Sequence, residues 1–317
     1  MNMTPKTLYI LAPCYNEAEV LPLTSKIFLD KLNSLINEGK ISENSRVAFI
    51  DDGSKDGTWN IIESLHELDP KFIGVKLSRN RGHQNALLGG MSTVVDDCDM
   101  IVTIDADAQD DVNAIDKMVD DFNNGVEIVY GVRASRETDT FFKRTTAQGF
   151  YKFMSLMGVE TVYNHADFRL MSSRAVKALL DFKEVNLFLR GMVPLVGFKS
   201  STVTYDRAPR LAGESKYPLK KMLTFAFDGI TSFSIKPIRF ITALGGITLI
   251  LSVVFAIYAL ISYFVHNTVP GWTSTVLSIW FFGSLQLIAT GVVGEYIGKI
   301  YLETKGRPRF FIEKYLK

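Results

Sequence analysis

The 317-residue sequence has few cysteines and no excess of either charge. Cys14 and Cys98 form neither a disulfide framework nor the spacing of a zinc site, and so low a number fits a reducing compartment. The formal net charge of +1 argues against a nucleic-acid-binding protein, which normally carries a strong basic excess. No Gly-x-Gly-x-x-Gly follows the first apolar run and no Walker-type phosphate loop is present, which disfavours dinucleotide-binding and P-loop proteins.

Charge is also missing locally, in two long stretches near the C-terminus. Residues 241–265 and 271–294 contain no charged side chain. Each stretch exceeds the roughly 20 apolar residues that a helix needs to cross a bilayer core. We therefore expect a transmembrane hairpin over 236–298, with spans at about 239–265 and 271–297. The alternative is a pair of helices buried in a soluble core.

The residues that flank the hairpin predict its orientation. Lys236 and Arg239 precede the first stretch and Lys299 follows the second. By the positive-inside rule, both ends are cytosolic, as are the preceding domain and a C-terminal tail over 299–317. Segment 217–235 mixes apolar and basic residues and is expected to lie at the interface as an amphipathic helix. The sequence thus predicts a multi-pass protein of the cytoplasmic membrane.

Apolar runs and helical patterns alternate along the first 216 residues, which we expect to form one cytosolic domain. The predicted strands are 7–12, 46–51, 72–77, 100–105 and 127–130. Such alternation is typical of an α/β fold, with a mostly parallel, Rossmann-like sheet covered on both faces. In such sheets, ligands bind outside the carboxyl ends of the strands.

Acidic residues follow the fourth predicted strand directly. Asp105, Asp107 and Asp110 crowd its carboxyl end, where they repel one another unless a cation neutralises them. Oxygen ligands of this kind suit Mg²⁺ or Mn²⁺, which usually share their coordination with substrate phosphates. The alternative is a polar loop whose acids begin the next helix, where negative charge is favourable.

Polar residues also follow the first two strands. Asn16 and Glu17 come after the first strand and Asp52 after the second. They suit contacts to the hydroxyls and base edge of a nucleotide whose diphosphate lies near the fourth strand. The alternatives are that Glu17 is an acid of a first helical turn and Asp52 a turn former.

Three motifs in this order resemble the signature of family 2 inverting glycosyltransferases, which have a glycosyltransferase A type fold. They are Pro13-x-Tyr15-Asn16-Glu17, Asp51-Asp52-Gly53-Ser54-x-Asp56-Gly57-Thr58 and Asp105-Ala106-Asp107-x-Gln109-Asp110. Further motifs and the hairpin resemble the polyprenyl-phosphate glycosyltransferases, relatives of dolichol-phosphate mannose synthase. These motifs are Arg79-Asn80-x-Gly82, Gly131-x-Arg133, Asp167-Phe168-Arg169-Leu170, Phe188-Leu189-Arg190-Gly191 and Arg207-x-x-Arg210 followed by Gly213-Glu214-Ser215-Lys216-Tyr217. One departure is Asp111, where relatives often carry proline.

The resemblance implies a role for each matching residue. It implies a donor-binding set of Pro13, Tyr15, Asn16, Glu17, Asp52, Asp105, Ala106 and Asp107. It implies that Mg²⁺ or Mn²⁺ is held by Asp105, Asp107 and Gln109. For the acceptor and its phosphate it implies Arg133, Arg144, Arg207, Arg210 and Lys216. Asp167 matches the position proposed as the catalytic carboxylate.

The chemistry of a phosphate acceptor leaves the role of Asp167 open. A phosphate monoester is largely anionic near neutral pH because its second pKa is about 6, so it needs no strong general base. Asp167 either positions the acceptor or removes a residual proton. The alternative is a structural partner of Arg169 or of another arginine.

Together these observations predict an inverting, metal-dependent transferase. It would move one sugar from a nucleotide donor, with UDP-glucose or a UDP-GlcNAc-like sugar favoured by analogy, to undecaprenyl or another polyprenyl phosphate. The product would supply lipid-linked sugar for modification of cell-envelope glycans. Two alternatives are a processive polysaccharide synthase, although no Gln-x-x-Arg-Trp motif is present, and a non-catalytic membrane scaffold that binds nucleotide-sugars. Two spans per chain are compatible with a homo-oligomer.

Overall fold

The computed structural model describes most of the chain, which divides into two compact units. The described residues are 4–133, 165–185, 187–206, 236–264 and 271–317. The first unit comprises 1–151, 160–219 and 306–317, and the second 152–159 and 220–305. The predicted interface segment 217–235 lies outside the described residues.

A mixed sheet forms the centre of the first unit. Its strands are β1 (Leu8–Cys14), β2 (Arg46–Asp51), β3 (Phe72–Leu77), β4 (Met100–Thr103), β5 (Ile128–Arg133), β6 (His165–Ser172), β7 (Ser200–Tyr205) and β8 (Ile312–Leu316). Their order across the sheet is β7-β5-β6-β4-β1-β2-β3-β8. Strands β4, β1, β2 and β3 are parallel neighbours. The predicted α/β fold and its five strands are therefore confirmed.

Six helices of the first unit accompany the described strands. They are α1 (Leu21–Asn37), α2 (Thr58–Leu68), α3 (His83–Val94), α4 (Ala114–Asn123), α5 (Ser173–Leu180) and α6 (Leu189–Leu195). Strand β1 reads as a continuous apolar run because both of its faces are covered. Leu21, Phe28, Leu32 and Leu35 of α1 are buried at helical spacing. Phe28 packs within 6.3 Å of Phe49 on β2, ring centre to ring centre, so α1 and the sheet share one core.

Three strands were not predicted. Strand β6 is antiparallel to both β4 and β5, and its sequence mixes charged and apolar residues. Strand β7 extends the sheet beyond β5, with alternating buried and exposed residues only near its end. Strand β8 lies antiparallel to β3 at the sheet edge, in the segment that the sequence analysis treated as a tail. Ion pairs from Lys314 to Glu63 (2.6 Å) and from Lys76 to Glu313 (2.9 Å) connect this edge to the rest of the unit.

The described helices of the second unit occupy the two uncharged stretches. They are α7 (Lys236–Phe264) and α8 (Trp272–Lys305), the second of which runs past the predicted end at 297. Large apolar side chains such as Ile250, Tyr258 and Leu287 are exposed within this unit. Over the described positions, no helix meets the combined length and hydropathy that crossing a membrane requires. The transmembrane hairpin is therefore not confirmed and stays a prediction.

Gly53 allows the turn after β2 to approach the loop after β3. Its φ of +65° suits glycine, and a Cβ built there would lie 2.5 Å from the carbonyl carbon of Arg79. Gly39, after α1, has nearly the same φ of +68° but no heavy atom within 4 Å of its Cβ position. The two glycines therefore share a backbone conformation but differ in the space around the missing side chain.

Replacing these two glycines by alanine separates backbone strain from steric overlap. We expect Gly39→Ala to lower the free energy of unfolding by about 1–2 kcal/mol, the cost of a left-handed conformation. Gly53→Ala should cost about 1–3 kcal/mol more, because the new methyl group displaces backbone atoms. Urea denaturation of both variants beside the wild type measures the difference. Equal losses would contradict the close approach of the two loops.

Candidate active site

The loops after β1 and β2 are joined at the carboxyl edge of the sheet by hydrogen bonds that use motif residues. The amide of Asn16 donates to Ser54 Oγ (3.0 Å), and Asn16 Oδ1 accepts from the amide of Lys55 (2.9 Å). The amide of Glu17 donates to Thr58 Oγ1 (2.9 Å). Asn16 has a φ of +56°, a conformation that asparagine tolerates better than most residues. Asn16 thus stabilises the loops, and its donor contact stays a prediction.

Asp52 joins the end of β2 to the loop after β3. Its carboxylate is buried and accepts hydrogen bonds from the amides of Arg81 (2.7 Å, Oδ1) and Gly82 (2.8 Å, Oδ2). Burial raises the pKa of Asp52, although both amides stabilise the ionised form. The structure therefore gives Asp52 a positioning role at the start of α3, and its predicted contact with the donor stays untested.

The other donor-binding predictions lie around the same edge. Tyr15 is 42% exposed and Pro13 is half-buried, so both are accessible to a ligand. Ala106 is buried in the turn that follows β4. In that turn Ala108 has a φ of +49°, and the amide of Gln109 donates to Asp107 Oδ1 (3.2 Å). These residues form one continuous edge with the loops described above.

Asp105 carries the strongest sign of a cation requirement. Burial, together with the carboxylates of Asp110, Asp167 and Asp107, raises the pKa of Asp105 to about 6, while His83 opposes them. Among the described residues, no three His, Cys, Asp or Glu side chains stand in a metal-binding arrangement. The predicted set has two carboxylates and the amide of Gln109, which is enough for Mg²⁺ when substrate phosphates complete its shell. The donor chemistry therefore fits a hard divalent cation.

Asp167 on β6 lies among two arginine side chains and one histidine. Arg169 Nη2 lies 2.5 Å from Asp167 Oδ1, and Arg190 Nη2 on α6 lies 3.1 Å from Oδ2. His83 Nε2 at the start of α3 lies 3.8 Å from Asp167 Oδ2 and 3.9 Å from Asp105 Oδ1. Burial alone would raise the pKa of Asp167, but Arg190, Arg169 and His83 together lower it well below its usual range. Asp167 is thus held as a carboxylate.

Neighbouring elements fix this group of residues in place. Thr103 Oγ1 on β4 donates to the backbone carbonyl of Asp167 (2.5 Å). Gln84 Oε1 on α3 accepts from the amide of Leu189 at the start of α6 (2.9 Å). Helix α3, strand β6 and helix α6 therefore meet at Asp167.

Arg133, predicted to face the acceptor phosphate, belongs to a second polar group. Tyr205 Oη on β7 donates to Asp110 Oδ1 (2.6 Å), and Arg133 Nη2 lies 3.7 Å from the same oxygen. Arg133 Nε also lies 3.4 Å from Tyr205 Oη. Burial and the Asp110 carboxylate raise the pKa of Tyr205, so the phenol stays protonated. Arg133 is therefore held beside the acidic turn after β4.

The structure brings most of the predicted residues to one edge and adds three that the sequence analysis did not assign. Four predicted phosphate-binding residues lie outside the described residues, namely Arg144, Arg207, Arg210 and Lys216. The additions are His83, Arg190 and Tyr205. His83 follows a strand-end loop and Arg190 lies within a quoted motif, so both carried a signal. Tyr205 carried none, because it lies on an unpredicted strand.

Comparison with known proteins gives consistent matches along the chain. The family model described as "Glycosyl transferase family 2" matches residues 9–180. The uncharacterized glycosyltransferase YkoT of Bacillus subtilis (strain 168) is 50% identical over 313 residues, 99% of this chain and 93% of that protein. The bactoprenol glucosyl transferase of Shigella phage SfX is 37% identical over 306 residues, 96% of this chain and 98% of that protein. Among solved structures, the mannosyltransferase PcManGT from Pyrobaculum calidifontis, in complex with GDP-Man and Mn²⁺, has a TM-score of 0.41 at 15% identity, covering 93% of this chain and 88% of that chain.

Asp105→Asn should change how stability depends on pH in the metal-free protein. Because the folded-state pKa of Asp105 is raised to about 6, ionising it costs the wild type stability as pH rises from about 4 through 6. The variant cannot ionise there and escapes this loss. Because the Asp105 side chain is 39% exposed, solvent screening reduces the free-energy effect of the pKa shift. We therefore expect the variant to be more stable than the wild type by about 1 kcal/mol at pH 8. At pH 4 the difference should vanish.

Urea unfolding at several pH values with a chelator present measures this effect. Asp30→Asn, which removes an exposed acid from α1, is the matched control and should show no such pH dependence. A wild type that gains stability over the variant between pH 4 and 8 would contradict the assignment.

Proposed function

The chain belongs to glycosyl transferase family 2, and from this membership we propose that it transfers a single sugar from a nucleotide-sugar to a polyprenyl phosphate. The observation that carries the proposal is the full-length similarity to proteins named bactoprenol glucosyl transferase, at 36–37% identity. The supporting feature of the site is its charge arrangement, with acids after β4 beside arginines on β6 and α6. Such a site suits a reaction with phosphate on both substrates.

The proposed donor is a UDP-sugar, with UDP-glucose first. In the transfer, a phosphate oxygen of the acceptor bonds to the anomeric carbon as the bond from that carbon to the nucleoside diphosphate breaks, with inversion. Tyr15 and Pro13 would contact the nucleobase, and Asn16 joins their loop to the loop after β2. Positioning and charge stabilisation supply the catalysis in this scheme.

A divalent cation, Mg²⁺ or Mn²⁺, is part of the proposal. Asp105 and Asp107 would hold it with Gln109, and it would neutralise charge on the departing diphosphate. The raised pKa of Asp105 supports this, because a cation would relieve the repulsion among the neighbouring carboxylates.

We also propose that α7 and α8 form the membrane hairpin predicted from the sequence, with the first unit in the cytosol. Support comes from the two uncharged stretches and from large exposed apolar side chains such as Ile250 and Leu287. A polyprenyl phosphate is confined to the bilayer, so an enzyme that uses it must reach the headgroup level.

The defining experiment is a donor panel. Purified full-length protein in detergent is incubated with undecaprenyl phosphate, Mg²⁺ or Mn²⁺, and radiolabelled UDP-glucose, UDP-GlcNAc or GDP-mannose. We expect organic-extractable label from a UDP-sugar, and none when undecaprenol replaces the phosphate. A chain that yields no glycosyl-lipid from any donor in the panel refutes the proposed function, and a lengthening polymer would favour a processive synthase.

Removing the metal or one of its ligands should abolish transfer. With excess EDTA, or in Asp107→Asn, we expect turnover to fall by at least about 100-fold, because the ion's charge stabilisation is worth several kcal/mol. Asp111→Asn, which removes a charge from the same turn, is the control and should stay within about twofold by the tolerance of surface substitutions. Unfolding curves should show both variants folded. Full turnover of Asp107→Asn would rule out the proposed metal ligands.

A further inference from the structure

We propose that Arg190 is a phosphate-binding residue of this site and that Asp167 is the positioning residue that orients it, rather than a general base. The inference rests on the proposed function, because it names which residues receive the phosphate groups of its substrates. It concerns Asp167, Arg169 and Arg190, which the structure places together on β6 and α6.

The contact between Asp167 and Arg190 has the geometry of an orienting pair. Arg190 Nε and Nη2 approach the two oxygens of Asp167, at 3.4 Å from Oδ1 and 3.1 Å from Oδ2. Two roughly parallel contacts fix the plane of a guanidinium as well as its position. Helix α6 is held in turn through the amide of Leu189 on Gln84. The guanidinium is therefore preorganised before a ligand arrives.

Asp167 is poorly suited to accept a proton. Arg169 lies 2.5 Å from one oxygen, and Arg190 is bonded to both. A proton on this carboxylate would remove the negative charge on which these charge-assisted hydrogen bonds depend and so weaken them. A phosphate acceptor, already anionic, makes no demand for such a base. The Asp167 carboxylate is therefore better explained as a group that orients Arg190 than as a base that removes a proton.

Arg190 and Arg169 differ in accessibility, which decides which of them meets a ligand. The Arg169 side chain is buried and turned onto Asp167, whereas 33% of the Arg190 side chain is exposed. Asp167 offsets one of the two positive charges, so the three side chains together retain one. In a site otherwise rich in carboxylates, this net positive charge suits phosphate oxygens, which the planar fork of arginine binds well.

His83 locates this group relative to the rest of the site. Its Nε2 lies within 4 Å of an oxygen of Asp167 and of Asp105. Asp167 and His83 therefore connect Arg190 to Asp105, one of the acids proposed to hold the cation. Both phosphate sources, the donor's diphosphate and the acceptor's monoester, meet at this place in the proposed reaction. The ligand is thus a phosphate oxygen, and the experiment distinguishes its source.

Arg190→Gln and Arg190→Lys test the assignment through binding as well as rate. Affinity for UDP, measured by calorimetry, reports the donor's diphosphate. Affinity for farnesyl phosphate against farnesol, and the KM for undecaprenyl phosphate, report the acceptor. We expect Arg190→Gln to lower the affinity for either UDP or farnesyl phosphate by about 10- to 100-fold, which is the contribution of one charge-assisted hydrogen bond. If the acceptor is affected, the KM for undecaprenyl phosphate should rise by the same factor. Arg190→Lys should lose less, because it keeps the charge and loses the fork.

A double-mutant cycle with Asp167→Asn separates orientation from base catalysis. If Asp167 orients Arg190, Asp167→Asn weakens the same phosphate affinity and adds no further loss to Arg190→Gln. If Asp167 is a base, Asp167→Asn lowers kcat and leaves KM unchanged. The loss of kcat/KM in the double variant is then the product of the losses in the two single variants. The second pattern overturns the proposal. Asp167→Asn leaves buried Arg169 without its counter-ion, which can prevent folding. If the Asp167→Asn protein does not fold, the two Arg190 variants alone provide the test.

The control is Arg174→Gln, which removes an exposed arginine that pairs with Glu127 at 3.0 Å. It should leave every affinity within about twofold, as expected for a surface position. If Arg190→Gln likewise changes neither UDP nor farnesyl phosphate affinity, Arg190 is not a phosphate ligand. These binding measurements need no turnover, so they stand apart from the donor panel: a wild type that makes no glycosyl-lipid refutes the proposed function alone.

Discussion

The site depends on a difference in the electrostatic surroundings of two carboxylates at neighbouring strands. Asp105 follows β4 and Asp167 lies on β6, and a single imidazole, that of His83, approaches both within 4 Å. Arg169 and Arg190 lower the pKa of Asp167, while burial and nearby acids raise that of Asp105. Carboxylates that share a site raise one another's pKa unless cations lie nearby. The protein supplies arginines to Asp167, and in the proposed function a bound cation serves Asp105.

This division explains how one edge of a sheet can serve two substrates with phosphate groups. The side around Asp105 is short of positive charge, which suits an ion that travels with a nucleoside diphosphate. The side around Asp167 has positive charge built in, which suits phosphate oxygens. Arg133, held by Asp110 and Tyr205, adds a further cation between the turn after β4 and strand β7. In the proposed reaction the chemistry then follows from charge placement, with no proton transfer required.

The sequence predicted the parts of the fold whose apolar pattern is continuous and local. Strands β1 to β4 are buried on both faces and read as such. Strand β6 escaped prediction because Asp167 and Arg169 interrupt its apolar residues, and their burial depends on pairing with each other, which no periodicity reveals. Strand β8 escaped because an edge strand needs few apolar residues and is defined by its partner β3.

The site residues divide in the same way. Motif spacing placed Asp105, Asp107 and Asp52 at the carboxyl edge, since each ends or follows a strand. It could not show that the Asp52 oxygens accept backbone amides from the loop after β3. Nor could it bring His83 and Arg190 to Asp167, because those contacts join segments far apart in the chain. A sequence shows the type and position of each residue, whereas the contacts of its side chain depend on the fold.

The segment after α8 has a structural role that its sequence does not indicate. Phe311 accepts a hydrogen bond from the amide of Ser78 (3.0 Å), and Arg81 Nη2 lies 3.5 Å from the carbonyl of Pro308. Ser78 and Arg81 belong to the loop that Asp52 holds and that leads into His83. The last twelve residues therefore cover the edge of β3 and contact the loop that begins helix α3. What composition presents as a charged tail is part of the framework that positions the active site.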